Sequence, residues 1–107
     1  MDRETAIGIA NQYAQVVAGE LSPFAIFLYG SYASNDASQN SDIDIAVIFN
    51  GFYGNWLKTS AKLWKLRRNI SDNIEPILLD ESNDPSGFVE DIIRTGEVLY
   101  SMKEHAH

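Results

Sequence analysis

The 107-residue sequence contains no cysteine, which excludes both a disulfide framework and a thiolate metal site. Positive charge is scarce. Eight Lys and Arg stand against fifteen Asp and Glu, a net charge of −7, and this balance argues against nonspecific binding along a nucleic-acid backbone. No apolar run approaches the length needed to cross a bilayer, so no membrane association is expected. The opening residues "MDRETAIGIANQYAQ" lack the basic-then-apolar layout of a secretion signal, and the expected location is cytoplasmic. Repeats, low-complexity tracts and dividing linkers are also missing. A hydrophobic content of 45% with 21% charged residues is that of a folded chain rather than a disordered one, so residues 1–107 are expected to form one domain.

The few positive charges are unevenly spread. Lys58, Lys62, Lys65, Arg67 and Arg68 all lie within "LKTSAKLWKLRR". Such a run fits either a solvated helix face or a landing site for an anionic ligand or acidic partner.

Residues 3 to 19 place Ala6, Ile9, Ala10, Tyr13, Val16 and Val17 at helical spacing, with Asp2 as N-cap. "FAIFLY" (24–29) and "IDIAVIF" (43–49) read as strands, the second apolar on both faces and so covered on both. "NGFYG" marks a turn. An amphipathic helix follows over 55–69, with Trp56, Leu57, Leu63 and Trp64 as candidates for burial. "IEPILL" (74–79) is a third strand, and its Pro76 restricts it to a sheet edge or a strand start. Asp84-Pro85 opens a last helix, Gly96 ends it, and "EVLY" closes the chain as a strand. With a helical turn after the first strand, helices and strands alternate throughout. This order predicts an α/β (α+β) fold, a small mixed sheet flanked by helices.

Asp42 and Asp44 occupy alternate positions at the start of the second strand and project from one face. Two carboxylates so placed repel each other, and a divalent cation with a preference for hard oxygen ligands removes the conflict. Upstream, Gly30 and Ser31 follow the first strand. A glycine there permits close backbone approach, and amides at a helix N-terminus bind phosphate. Together these residues fit a nucleoside triphosphate with its magnesium. Two plainer alternatives exist. "SNDASQNSD" also fits an ordinary polar loop, and Asp36, Ser38, Asn40 and Asp42 alternate as in a calcium loop. The calcium loop fails at its sixth position, Ser41 instead of Gly, and at its twelfth, Val47 instead of Glu.

The spacing Gly-Ser, ten residues, Asp-x-Asp resembles the signature of the DNA polymerase β-like nucleotidyltransferases, and the chain's size resembles their minimal branch. Four such fixed positions arise by chance in roughly one in a thousand chains of this length. The resemblance implies a nucleotidyltransferase fold and metal-dependent transfer of a nucleoside monophosphate, AMP from ATP, to an acceptor hydroxyl. It implies Gly30 and Ser31 at the phosphates, with Asp42 and Asp44 as catalytic ligands of two Mg²⁺. Glu75 is the third carboxylate by position, with Asp80 a poorer candidate. It also implies a partner: minimal nucleotidyltransferases are often paired with a HEPN-domain toxin whose tyrosine they modify, acting as antitoxins.

The sequence departs from that pattern where Ser34, Asn35 and acidic Asp36 stand in place of the Arg-Gly that often follows. The basic helix is one possible compensation. The departure also supports the alternative of a catalytically inactive binding module. Tyr32, inside the signature, is either a nucleotide contact or an exposed turn residue, with the second expected. The tryptophans are expected in the core, and His105 and His107 in a terminal tail.

Overall fold

The computed structural model describes residues 1–37 and 41–102. Helix α1 spans Arg3–Leu21 and strand β1 Ala25–Tyr29. Strand β2 spans Ile43–Phe49, helix α2 Trp56–Leu66 and strand β3 Ile74–Asp80. Helix α3 spans Phe88–Thr95 and strand β4 Glu97–Ser101. The expected N-cap holds: the Asp2 carboxylate accepts from the Thr5 amide at 2.7 Å. Ser22, in the left-handed region at φ 49°, closes α1 just before Pro23.

Three local expectations are corrected. No helix lies between β1 and β2 among the described residues; the segment after β1 is a turn. The third helix begins at Phe88 with Gly87 as N-cap, later than Asp84-Pro85. Asp84 nevertheless accepts from the amides of Val89 and Glu90, both at 3.0 Å, so it caps the helix across a folded-back turn. In α2 only Leu63 of the four candidates is buried, while Trp56, Leu57 and Trp64 are exposed.

The strands are ordered β3-β2-β1-β4. β1 is antiparallel to both β2 and β4, and β2 is parallel to β3. Pro76 therefore sits on an edge strand, where a missing backbone donor is tolerated. A parallel pair needs a crossover, and α2 supplies it between β2 and β3. The second crossover, through α3, runs back across the sheet to β4. Two crossovers of one hand that travel in opposite directions lie on opposite faces. Accordingly α1 and Leu63 of α2 pack on Ile26, Leu28, Ile43 and Ile45, whereas Val89 and Ile92 of α3 pack on Phe27, Ala46 and Ile48. This double cover explains why "IDIAVIF" is almost uniformly apolar. Inside the first layer the Tyr13 hydroxyl donates to the Leu63 carbonyl at 2.7 Å, fixing α1 against α2.

The far end of β3 is secured by one carboxylate. Asp80 accepts from the amides of Gly51, Phe52 and Ser82 and from the Ser82 hydroxyl, at 2.7–2.9 Å. Desolvation raises its pKa, but these donors outweigh it and hold the group at about 2, below the ordinary 3.8. Asp80→Ala is expected to destabilise the fold by about 1 kcal/mol, a small value for a solvent-accessible group. Because the folded pKa is depressed, the wild-type advantage is complete above pH 3.8 and disappears as pH falls through about 2. Urea unfolding of both proteins across that range checks it.

Candidate active site

Strand register assembles the site. Tyr29 at the end of β1 pairs with Asp44 on β2, and Asp44 pairs with Glu75 on β3. The three residues form one row across three strands, on the α3 side of the sheet, and Asp42 immediately precedes β2. Residues 31 positions apart are neighbours only because β2 and β3 are parallel and in this register. Asp42 and Glu75 are exposed, and Asp44 is half-buried. Burial, then the charge of Glu75, then that of Asp42 raise the Asp44 pKa above its ordinary 3.8. Tyr29 was not a candidate from sequence, because parity along a strand does not give register between strands. Burial and the charges of Asp44 and Glu75 raise its hydroxyl pKa. Its ring meets Phe88 of α3 edge-on, with centroids 5.8 Å apart.

Gly30 lies directly against this row. Its φ is +75°, and a Cβ at this position would stand 2.3 Å from Oδ2 of Asp44. Glycine is therefore favoured by the backbone conformation, and it leaves room for the carboxylate leaning over it.

The family model for polymerase beta nucleotidyltransferases matches residues 11–105. The chain belongs to the polymerase β nucleotidyltransferase family. A solved structure from Sulfolobus solfataricus, assigned as a nucleotidyltransferase, superposes with a TM-score of 0.72 at 21% identity, covering 95% of this chain and 86% of its own. A toxin–antitoxin solved with AMP-PNP gives 0.62 at 22% identity, covering 89% and 76%. A MntA–HpeT toxin–antitoxin mutant with two aspartates changed to glutamate gives 0.61 at 20%, with the same coverage. These likenesses establish the nucleotidyltransferase fold. No curated protein matches the chain.

In this nucleotidyltransferase the Gly-Ser segment forms one turn, closed by the Ser34 amide on the Gly30 carbonyl at 3.1 Å and the Asp36 amide on the Ser31 carbonyl at 2.9 Å. The expected helix N-terminus is thus reduced to a single turn, with little dipole of its own. Asn35 has φ 65°, the left-handed conformation that glycine takes most easily and asparagine next. Asn35 thus adopts a backbone shape open to the Gly of the usual Arg-Gly. Ser34 brings no cation. Its hydroxyl donates within the turn, to the carbonyls of Gly30 and Ser31.

Tyr32 is neither an exposed residue nor a nucleotide contact. It is 1% exposed, its hydroxyl reaches the Met1 carbonyl, and its own carbonyl accepts from Arg3. It anchors the turn to α1. The basic helix does not compensate for the missing arginine: α2 covers the other face, where Lys62 pairs with Glu20 and Arg67 donates to the Asp72 carbonyl. Asp80 stands at the opposite end of β3, its oxygens committed to loop amides. Ser38, Asn40, His105 and His107 lie outside the described residues.

Among the described residues no three acidic or histidine side chains stand close enough together to enclose an ion. Asp42 and Glu75 are exposed, so turning them toward Asp44 disrupts no packing. Three hard carboxylates whose mutual repulsion already raises one pKa are a donor set that suits Mg²⁺.

Two outcomes follow for the metal-free protein. A raised folded-state pKa means that stability grows as pH falls toward the ordinary carboxylate range. Asp44→Asn is expected to be more stable than wild type at neutral pH, with the difference closing on acidification. Gly30→Ala is expected to lose about 1–2 kcal/mol through its left-handed backbone, while Asp44 swings aside and the fold survives. Thermal unfolding between pH 4 and pH 7, at roughly unit steps, reads both.

Proposed function

We propose that this nucleotidyltransferase moves AMP from ATP to an acceptor hydroxyl, a tyrosine of a HEPN-type toxin, and so acts as the antitoxin of a pair. The observation that carries the reading is the Asp44–Glu75 register pair with Gly30 pressed against Asp44. Similar folds in structures named as toxin–antitoxins, one of them with AMP-PNP, support the nucleotide and the class of partner.

Gly30 and Ser31 would receive the β- and γ-phosphates through the backbone amides of their turn. Asp42, Asp44 and Glu75 would hold two Mg²⁺, which supply charge neutralisation at the triphosphate and a lowered pKa at the acceptor hydroxyl. Glu75 is exposed at the strand start, where an incoming hydroxyl can reach it, and it accepts or orients the proton. The acceptor oxygen bonds to the α-phosphorus as the bond to the β-phosphate oxygen breaks, and pyrophosphate leaves. Tyr29, paired with Asp44 across the strands, forms the wall on the β1 side.

A second reading is a binding module without turnover. It is favoured by the turn at Ser34–Asp36, which brings an acidic residue and no arginine to the phosphate side.

Transfer of label from ATP carrying it at the α-phosphate distinguishes the two, with a HEPN-type protein offered as acceptor. Asp42→Asn/Asp44→Asn and magnesium chelation are each expected to lower labelling at least about a hundredfold. A stable complex with no label in wild type would overturn transfer in favour of the binding module.

A further inference from the structure

Helix α2 carries apolar residues on both sides, and on its outer side the Trp64 ring holds the Arg67 guanidinium 4.7 Å from its centroid. Its inward side is Leu63 and Leu66, with Thr59 and Ser60 between helix and core. Leu57 is 80% exposed and Trp64 42% exposed. Positions 57, 61 and 64 follow one another along the outer face at i, i+4 and i+7, giving a row of Leu57, Ala61 and Trp64. Lys58, Lys65 and Arg68 flank that row and are exposed as well. An apolar row rimmed by positive charge is the layout of a docking face, with a hydrophobic centre and a polar rim.

The charge distribution indicates what meets it. Five of the eight positive side chains sit on this helix and the turn that follows, so the rest of the chain carries fifteen carboxylates against three positive groups. Two α2 faces would repel each other. The complement lies on the opposite side of the molecule. A groove of about 530 Å³ beside α3 is lined by Glu81, Asp84, Glu90, Ile93 and Arg94. Ile93 is 37% exposed, and Arg94 is paired with Asp91, leaving the groove acidic around one exposed apolar side chain.

We propose that the outer face of α2 docks into the α3-side groove of a second copy of this chain. Leu57 and Trp64 meet Ile93, while Lys58, Lys65 and Arg68 meet Glu81, Asp84 and Glu90. Because the two surfaces differ, the contact is head-to-tail and does not close at two copies. The groove opens after Asp80, the last residue of β3, and Glu75 stands near the other end of that strand, so the carboxylate row stays free. One 11-residue helix buries a small area, so the contact is weak, with a dissociation constant on the order of 10–100 μM.

Sedimentation of the full chain from about 10 μM to about 1 mM tests this. The average mass is expected to rise continuously past that of a dimer. Raising salt from about 50 mM to about 500 mM weakens association about tenfold. Leu57→Asp/Lys65→Glu and Glu90→Lys/Ile93→Lys are each expected to be monomeric alone. Mixed, each supplies the surface the other lacks, and association returns. Lys58→Glu/Lys65→Glu, which changes only exposed charge, replaces the first variant if its near-ultraviolet circular dichroism departs from wild type. A wild type that stays monomeric throughout overturns the proposal. So does a wild type that associates while the mixed variants do not, because the contact then lies elsewhere.

Discussion

The parallel pairing of β2 with β3 is the constraint on which the site depends. Asp44 and Glu75 come from segments separated by a helix, and only the ladder that sets Ile43 beside Ile74 makes them neighbours. Both isoleucines are fully buried, so the register is locked by the same core that stabilises the sheet. A slip of one residue would send Glu75 to the opposite face and expose Ile74. The carboxylate row and hydrophobic burial therefore depend on the same alignment.

That alignment gathers negative charge. Asp42, Asp44 and Glu75 repel one another, and the chain keeps the repulsion small by placing two of them in solvent at strand starts. Only Asp44 is drawn partly inward, beneath the space that Gly30 leaves free. Asp80 shows the opposite arrangement at the other end of β3, where the same chemical group is surrounded by donors and lies below its ordinary pKa. Carboxylates at the two ends of one strand thus serve different ends, one set available to a cation and the other fully used by the backbone.

The turn after β1 shows how a family motif can change composition and keep its shape. Tyr32, buried and tied to Met1 and Arg3, fixes the turn from below, and Asn35 adopts the left-handed conformation in place of glycine. What is lost is the positive charge. The described positive side chains outside α2 and its following turn, Arg3 and Arg94, are paired with Glu97 and Asp91.

The sequence by itself determined the elements and the chemical kinds. Short apolar runs bounded by turn residues marked all four strands, Asp2 and Gly96 marked helix ends, and the Gly-Ser and Asp-x-Asp spacing marked the candidate site, because these signals are local. It failed where packing decides. Periodicity placed Trp56, Leu57 and Trp64 inside, but a helix spanning two strands buries only a narrow stripe. The segment after β1 is rich in Gly, Ser, Asn and Asp, which favour turns over helix interiors. Tyr29, the second face of α2 and the adjacency of Glu75 to Asp44 were set by tertiary structure alone, because register between strands and the covering of faces are properties of pairs of elements. No single stretch of sequence carries them.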